Sequence, residues 1–262
     1  MIQAVIFSMD RACQLDLLLQ SICKFWIGYE DCNITIIYKH SNDSFRAGYE
    51  LLKTKYPEFK HREETEILKD IQMSFDPTIA HSMFLVDDDI FTRVFNVHDK
   101  DIVWHTFTTH KGFACLSLRL GANIHRNYES GNIKQPIDFL NDYPYVWKWR
   151  QAESDFGYPG SVDGHIFKTP LLLSMLGGVD HCCNIEPTLM RRIPSDEYMI
   201  CYQKSIIVNV PNNMVQKLHK NEHMHGDINR LNERFLAGDS IKLAPFINID
   251  NDSCHYPMEY MF

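Results

Sequence analysis

The sequence predicts an α/β fold built on a mostly parallel, Rossmann-like sheet flanked by helices. Three observations carry that prediction. Short runs of β-branched and aromatic residues alternate with segments of helical period through the first half of the chain. One of those runs, SMFLV, leads straight into three adjacent carboxylates, Asp87, Asp88 and Asp89. The 262 residues, 45% hydrophobic and 23% charged, suffice for one large buried core and show no disordered or repetitive stretch.

The elements follow in order. Gln3–Ser8 reads as a short buried strand, and Met9–Ala12 as a polar turn. Leu15, Leu18, Leu19 and Ile22 recur at helical spacing, which predicts a helix from about Gln14 to Phe25. Asn33–Tyr38 is a second strand. Asp43 or Ser44 caps the next helix, whose stripe is Phe45, Tyr49, Leu52 and Tyr56, closed by Pro57. Ile67, Leu68 and Ile71 mark a third helical segment, and His81–Val86 a third strand. In the second half, Gly112–Leu120, Val146–Arg150 and Ser205–Val210 read as strands. Gly121–Pro144 reads as loop, Asn184–Arg192 as a helix, and Asp227–Ala237 as an amphipathic helix stopped by Gly238. The tail Ile241–Phe262 is apolar enough to pack. No linker is visible, so the reading is a single domain over 1–262, with a nucleotide-binding half (1–110) and an acceptor-binding half (111–262).

Composition excludes several classes. A net charge of −8 argues against nucleic acid as a partner, and no Lys/Arg cluster is long enough to read as a strong anchor to an anionic membrane. The longest apolar stretch, Leu171–Leu176, cannot span a bilayer, and no basic segment precedes the first strand, so no signal peptide is expected. Eight cysteines without a C-x-x-C pair read as buried reduced thiols of a cytoplasmic protein. Glycine-rich dinucleotide and phosphate loops, H-E-x-x-H and G-x-S-x-G are all missing.

Adjacent carboxylates repel, and a hard divalent cation is the usual compensation. On an extended backbone Asp87 and Asp89 share one side and Asp88 takes the other. Two same-side carboxylates suit Mn2+ or Mg2+ holding a diphosphate. The plain alternative is a solvated acidic turn capping a helix near Ile90.

The blocks FSMDRACQLDLLLQSI, IIYKHSNDSFRAGYELL and FLVDDDIF, with the later CLSLRLGANI, YPGSVDGHIF, VNVPNNMVQ and LNERFLAGDSIKL, resemble bacterial GT-A glycosyltransferases of the family 2 type. The resemblance spans nearly the whole chain in scattered pieces. It implies the GT-A fold, a nucleotide-diphosphate sugar donor, a Mn2+ or Mg2+ cofactor, and a glycan or lipid-linked acceptor with at most peripheral membrane contact. It assigns Ser8, Asp10, Arg11, Lys39 and Ser41 to the base and ribose, Asp87 to ribose or metal, and Asp89 to metal. Asp88 falls with the donor-binding residues without a fixed role, and no residue matches a C-terminal histidine ligand.

Other candidates carry two readings each. Arg11 meets a phosphate or is a surface arginine, and Arg119, inside an apolar run, binds donor or forms a structural ion pair. Asn213 and Gln216 fix a phosphate or sugar hydroxyl, or cap a helix. His219, His223 and His225 are metal-ligand types in a solvated context; Trp147, Trp149 and Tyr158 stack on a sugar or fill the core. Asp163, between Gly160 and Gly164, is the candidate general base of an inverting transfer, with Glu186 and His165 as competitors and a turn cap as the alternative. Two other functions stay open: a sugar-phosphate nucleotidyltransferase and a non-catalytic carbohydrate- or metal-binding relative.

Overall fold

A computed structural model describes residues 1–98, 100–127, 131–136, 143–195, 197–213 and 226–262. In chain order it contains β1 (Ile2–Met9), α1 (Ala12–Phe25), β2 (Asn33–Lys39), α2 (Asp43–Lys55), β3 (Lys60–Glu63), α3 (Ile67–Ser74), β4 (His81–Val86) and β5 (Asp89–Phe91). There follow α4 (Ile102–Thr109), β6 (Phe113–Ser117), the two-residue strands β7 (Arg126–Asn127) and β8 (Gly131–Asn132), β9 (Tyr145–Lys148), β10 (His165–Lys168) and α5 (Thr169–Met175). The last elements are α6 (Ile185–Arg192), β11 (Tyr198–Cys201), β12 (Ile207–Asn209) and α7 (Ile228–Leu236).

Eight strands form one sheet in the order β3-β2-β1-β4-β10-β6-β11-β9. Only β10 and β9 run against the rest. The sheet is therefore mostly parallel, as predicted, and strands of both halves share it. β5 and β12 pair antiparallel as a separate ribbon, with Asp89 opposite Asn209.

Side chains on a strand alternate between faces, and the core divides accordingly. Ala4 and Ile6 of β1, with Ile34 and Ile36 of β2, face α1, α2, α4 and α7. Val5, Ile37 and Phe84 face the other way, against α3, α5 and α6. Each large side chain fully buried this way contributes about 1.5–3 kcal/mol. The aromatic tail does pack: Tyr256, Met258, Tyr260 and Phe262 lie against the first of these layers.

The structure amends several boundaries. α1 begins at Ala12 because β1 continues to Met9, leaving only Asp10 and Arg11 between them. The strand expected over Gly112–Leu120 is confined to Phe113–Ser117, and the one expected over Val146–Arg150 to Tyr145–Lys148, where a 3-10 turn takes over. No helix starts near Ile90; that segment is β5. The elements β3, α4, β10, α5 and β11 were not foreseen. Each is short, and a run of four to eight residues carries too little period to separate strand from helix. Of the eight free cysteines, Cys13, Cys115, Cys201 and Cys254 are buried as expected, but Cys23 is exposed and Cys32, Cys182 and Cys183 are half-buried. Among the described residues no helix is long and apolar enough to cross a membrane.

Candidate active site

β1 and β4 are parallel neighbours, so their carboxyl ends open on the same edge of the sheet, where ligands bind in open α/β folds. β1 ends at Met9. Asp10 then adopts a left-handed backbone (φ 58°), and its Oδ1 accepts the Ser41 N–H at 2.7 Å, joining the loops after β1 and β2. The Asp10 N–H bonds the Lys39 carbonyl at 3.1 Å. The Lys39 side chain turns away to Glu64 at 3.1 Å. Ser8, Asp10 and Ser41 therefore come together, and the Lys39 ammonium does not join them.

β4 ends at Val86, and the chain turns at once through Asp87 and Asp88. The extended backbone that would align Asp87 with Asp89 is thus corrected. Asp87 is buried, taking the Ser8 hydroxyl at 2.8 Å and the Met9 N–H at 3.3 Å on Oδ2, and Arg11 at 3.0 Å on Oδ1. Arg11 reaches Asp88 as well, at 2.9 Å, and donates to Asn213 Oδ1 at 2.8 Å and to the Asn213 carbonyl. Arg11 is accordingly a buried clamp rather than a surface arginine. Burial opposes its charge, but Asp87 and Asp88 outweigh that and keep the guanidinium ionised. Burial raises Asp87 to about 6 against the pull of Arg11.

Asp89 is wholly buried at the start of β5. Its Oδ2 accepts the Val86 N–H at 3.0 Å and its Oδ1 the Asn209 amide at 3.3 Å; the same amide serves Asp88 at 2.8 Å. No salt bridge reaches Asp89 among the described residues. Burial, then the charge of Asp163, pushes its carboxyl well above the usual range.

Asp163 enters from the second half of the sheet. It precedes Gly164, which has φ 73° and bridges β4 and β6: its N–H bonds the Phe84 carbonyl at 2.9 Å and its carbonyl accepts from Leu118 at 3.0 Å. The left-handed conformation requires glycine, and a Cβ there would lie 2.8 Å from Ile207 Cδ1, so that side-chain end would have to shift as well. Gly160 has no such backbone. It is needed for close packing, since a Cβ there would lie 2.8 Å from Met190 Cγ. Arg119 donates to Asp163 at 2.7 Å, to Asp155 at 2.9 Å and to Ser161 at 2.6 Å, so it is the ion-paired member of an apolar strand end. Burial, with Glu186 and Asp88 adding to it against Arg119, raises Asp163 to about 7.

The competitors occupy supporting positions. Glu186 accepts the Val162 N–H at 2.9 Å and the Tyr158 hydroxyl at 3.2 Å. His165 is buried with its Nδ1 3.1 Å from the Pro159 carbonyl, and burial pushes it down to about 3, out of range for a base near neutrality. Trp147 and Trp149 are buried and Tyr158 is half-buried, so the two tryptophans are core. Gln216, His219, His223 and His225 lie outside the described residues.

Three groups escaped sequence reasoning. Asn209 bridges Asp88 and Asp89 from β12. His255, in the tail, has Nε2 3.9 Å from Asp163 Oδ2, and burial and Arg119 push it down to about 3, leaving a neutral imidazole. Asp155 shares Arg119 with Asp163. Only the tail's apolar character hinted that His255 would be carried inward.

These donors suit a hard divalent cation. Asp87 and Asp88 share Arg11, Asp155 and Asp163 share Arg119, and Asp89 has no arginine among the described residues; three of the carboxyls, Asp87, Asp89 and Asp163, are raised partly by other carboxylates. Among the described residues, however, no three ligand atoms of this cluster lie within 4.8 Å of one another. Arg11 bridges Asp87 and Asp88, and Asn209 bridges Asp88 and Asp89.

No family model matches the chain, and no curated protein matches it. Solved structures do. The S. aureus TarS 1–349 crystal structure superposes with a TM-score of 0.51 at 13% identity, covering 79% of this chain and 60% of that one. The same protein in complex with UDP gives 0.51 at 11% identity over the same shares. The mannosyltransferase PcManGT from Pyrobaculum calidifontis, in complex with GDP-Man and Mn2+, gives only 0.43 at 14% identity, covering 77% and 56%. The fold is the GT-A type, matching the expectation from sequence. This chain spans about 60% of the TarS fragment it matches.

Proposed function

We propose that the chain transfers a sugar from a nucleoside diphosphate donor to a glycan or lipid-linked acceptor, with inversion at the anomeric carbon. The observation that carries this reading is the convergence of Asp87–Asp89, Asp163 and His255 in one buried cluster at the carboxyl ends of β1 and β4, on a GT-A fold. The resemblance to glycosyltransferases of the family 2 type supports it, and so does the presence of UDP in the TarS complex.

The loops after β1 and β2, tied by Asp10 and Ser41, would cradle base and ribose, with Ser8 and Arg11 setting the position of Asp87. Asn213 buttresses Arg11 and reaches the donor only through it. Arg119 acts on Asp163 in the same indirect way. Of the two carboxylates assigned to Mn2+ or Mg2+, Asp89 suits the role best, having no cation of its own; Asp87 already satisfies Ser8, Met9 and Arg11. Asp88, which shares the Asn209 amide with Asp89, and His255, which lies 3.9 Å from Asp163, are further donors of suitable type. A bound cation would neutralise charge on the departing diphosphate. Asp163 takes the proton from the acceptor hydroxyl as that oxygen bonds to the anomeric carbon and the bond to the diphosphate breaks. A carboxyl held near 7 is matched to that task. A cytoplasmic setting belongs to this reading and agrees with eight free thiols.

Calorimetric titration with UDP and GDP, in Mn2+ and in chelator, tests it. One of the two should bind with Mn2+ and lose at least about tenfold in chelator or in Asp89→Asn, the scale of one lost charged contact. Equal binding in all three conditions would remove the cation from the account.

A further inference from the structure

Away from that cluster, His181, Cys182 and Cys183 lie together on the connection between α5 and α6. Cys182–Asn184 form a 3-10 turn whose N-terminal cap is His181. The imidazole Nδ1 accepts the Cys183 N–H at 3.2 Å and lies 3.7 Å from Cys182 Sγ. One ligand atom from each residue falls within 4.8 Å of the other two, the only such trio of potential metal ligands among the described residues. Both thiols are half-buried and His181 is exposed, so an ion can reach them. Cys182 also packs against the core layer beneath α5 and α6.

We propose that His181, Cys182 and Cys183 form a metal site for a soft or borderline d10 cation, Zn2+ in the first instance, independent of the acidic cluster. Two thiolates and an imidazole select Zn2+ over Mg2+ or Mn2+, which prefer oxygen ligands. Two thiolates balance the charge of Zn2+, so the loaded site carries no net charge. Three protein ligands leave one tetrahedral position for water or a further group. Separations below 4.8 Å need only small side-chain rotations to reach bonding distance. Cysteine binds a metal as the thiolate, so binding releases the thiol protons to solvent. The site would pin the turn entering α6, the helix that supplies Glu186 to Val162.

The test is a Co2+ titration of the reduced, metal-stripped full chain, followed by absorbance. Thiolate-to-cobalt charge transfer in the near ultraviolet, with intense visible bands of tetrahedral Co2+, should appear and be bleached by Zn2+. Cys182→Ser and Cys183→Ser should each abolish the charge-transfer band. His181→Asn keeps a cap acceptor for the turn but removes the imidazole, and should weaken Co2+ binding at least about tenfold. Asp89→Asn should leave the spectrum unchanged, which separates this site from the acidic cluster. Should one serine variant fail to fold, the other and His181→Asn still decide the matter. Absence of thiolate charge transfer in the parent chain, or its persistence in Cys182→Ser or Cys183→Ser, would overturn the proposal.

Discussion

Asp163 is gripped by Arg119 on one side and faces Asp88 and Asp89 on the other, so its charge is contested in the resting protein. Replacing it with asparagine keeps the shape and removes the base. Turnover should fall by roughly 10²-fold or more while donor affinity stays within a few-fold; steady-state kinetics beside donor titration separates the two effects. Near-normal turnover, or a product with retained anomeric configuration, would move the base elsewhere. Glu186 makes a useful contrast. It holds the Val162 N–H, not a reacting atom, so Glu186→Gln, which keeps an acceptor, should cost much less than Asp163→Asn. At this scale the sequence was partly legible. An acidic triplet closing a buried strand, and an aspartate beside a glycine, pointed to residues that do meet in the fold. Asn209 and His255 carried no comparable signal: one is among many asparagines, the other one of 13 histidines, and both arrive through long-range packing.

The elements that matter most are short. β10 is four residues long and lies antiparallel between β4 and β6, which places the turn carrying Asp163 beside the acidic triplet. Such an insertion is invisible to periodicity, because an order β4-β10-β6 depends on pairing across more than 80 residues. β1, β2 and β4, with α1 to α3, were readable, since each buries a regular stripe. Gly164 is the hinge between these levels. Gly164→Ala forces a left-handed residue into a 2.8 Å contact with Ile207 and should destabilise the fold by about 1–3 kcal/mol. Because the strain falls on the Asp163 turn, activity should drop further than the loss of folded protein accounts for. Denaturant melts and kinetics on the same sample give both quantities; full activity at unchanged stability would contradict the packing described for this turn.

At the scale of the whole molecule, two apolar layers clasp one sheet, and titratable groups trapped in them tie stability to pH. His81 opens β4 with its ring 4.8 Å from Trp104 and 5.5 Å from Phe107, and burial pushes it down to about 4. Its folded pKa lies below the unfolded 6.5, so the unfolded chain binds the extra proton. The stability held above pH 6.5 is therefore lost as pH falls toward 4. His81→Phe removes that titration, and its stability relative to the parent should rise across this window by on the order of 3 kcal/mol. Parallel melting curves for the two would expose the wrong sign. The fold itself now rests on both sequence pattern and superposition; the central claim, transfer from a nucleotide sugar, rests on the acidic cluster. The most direct measurement of that claim is nucleoside diphosphate release from a panel of nucleotide sugars with Mn2+. The account predicts release from at least one donor, lost in chelator, abolished in Asp89→Asn and cut at least about 10²-fold in Asp163→Asn. Release that is indifferent to both substitutions, or no release from any donor together with no nucleotide binding, would contradict it.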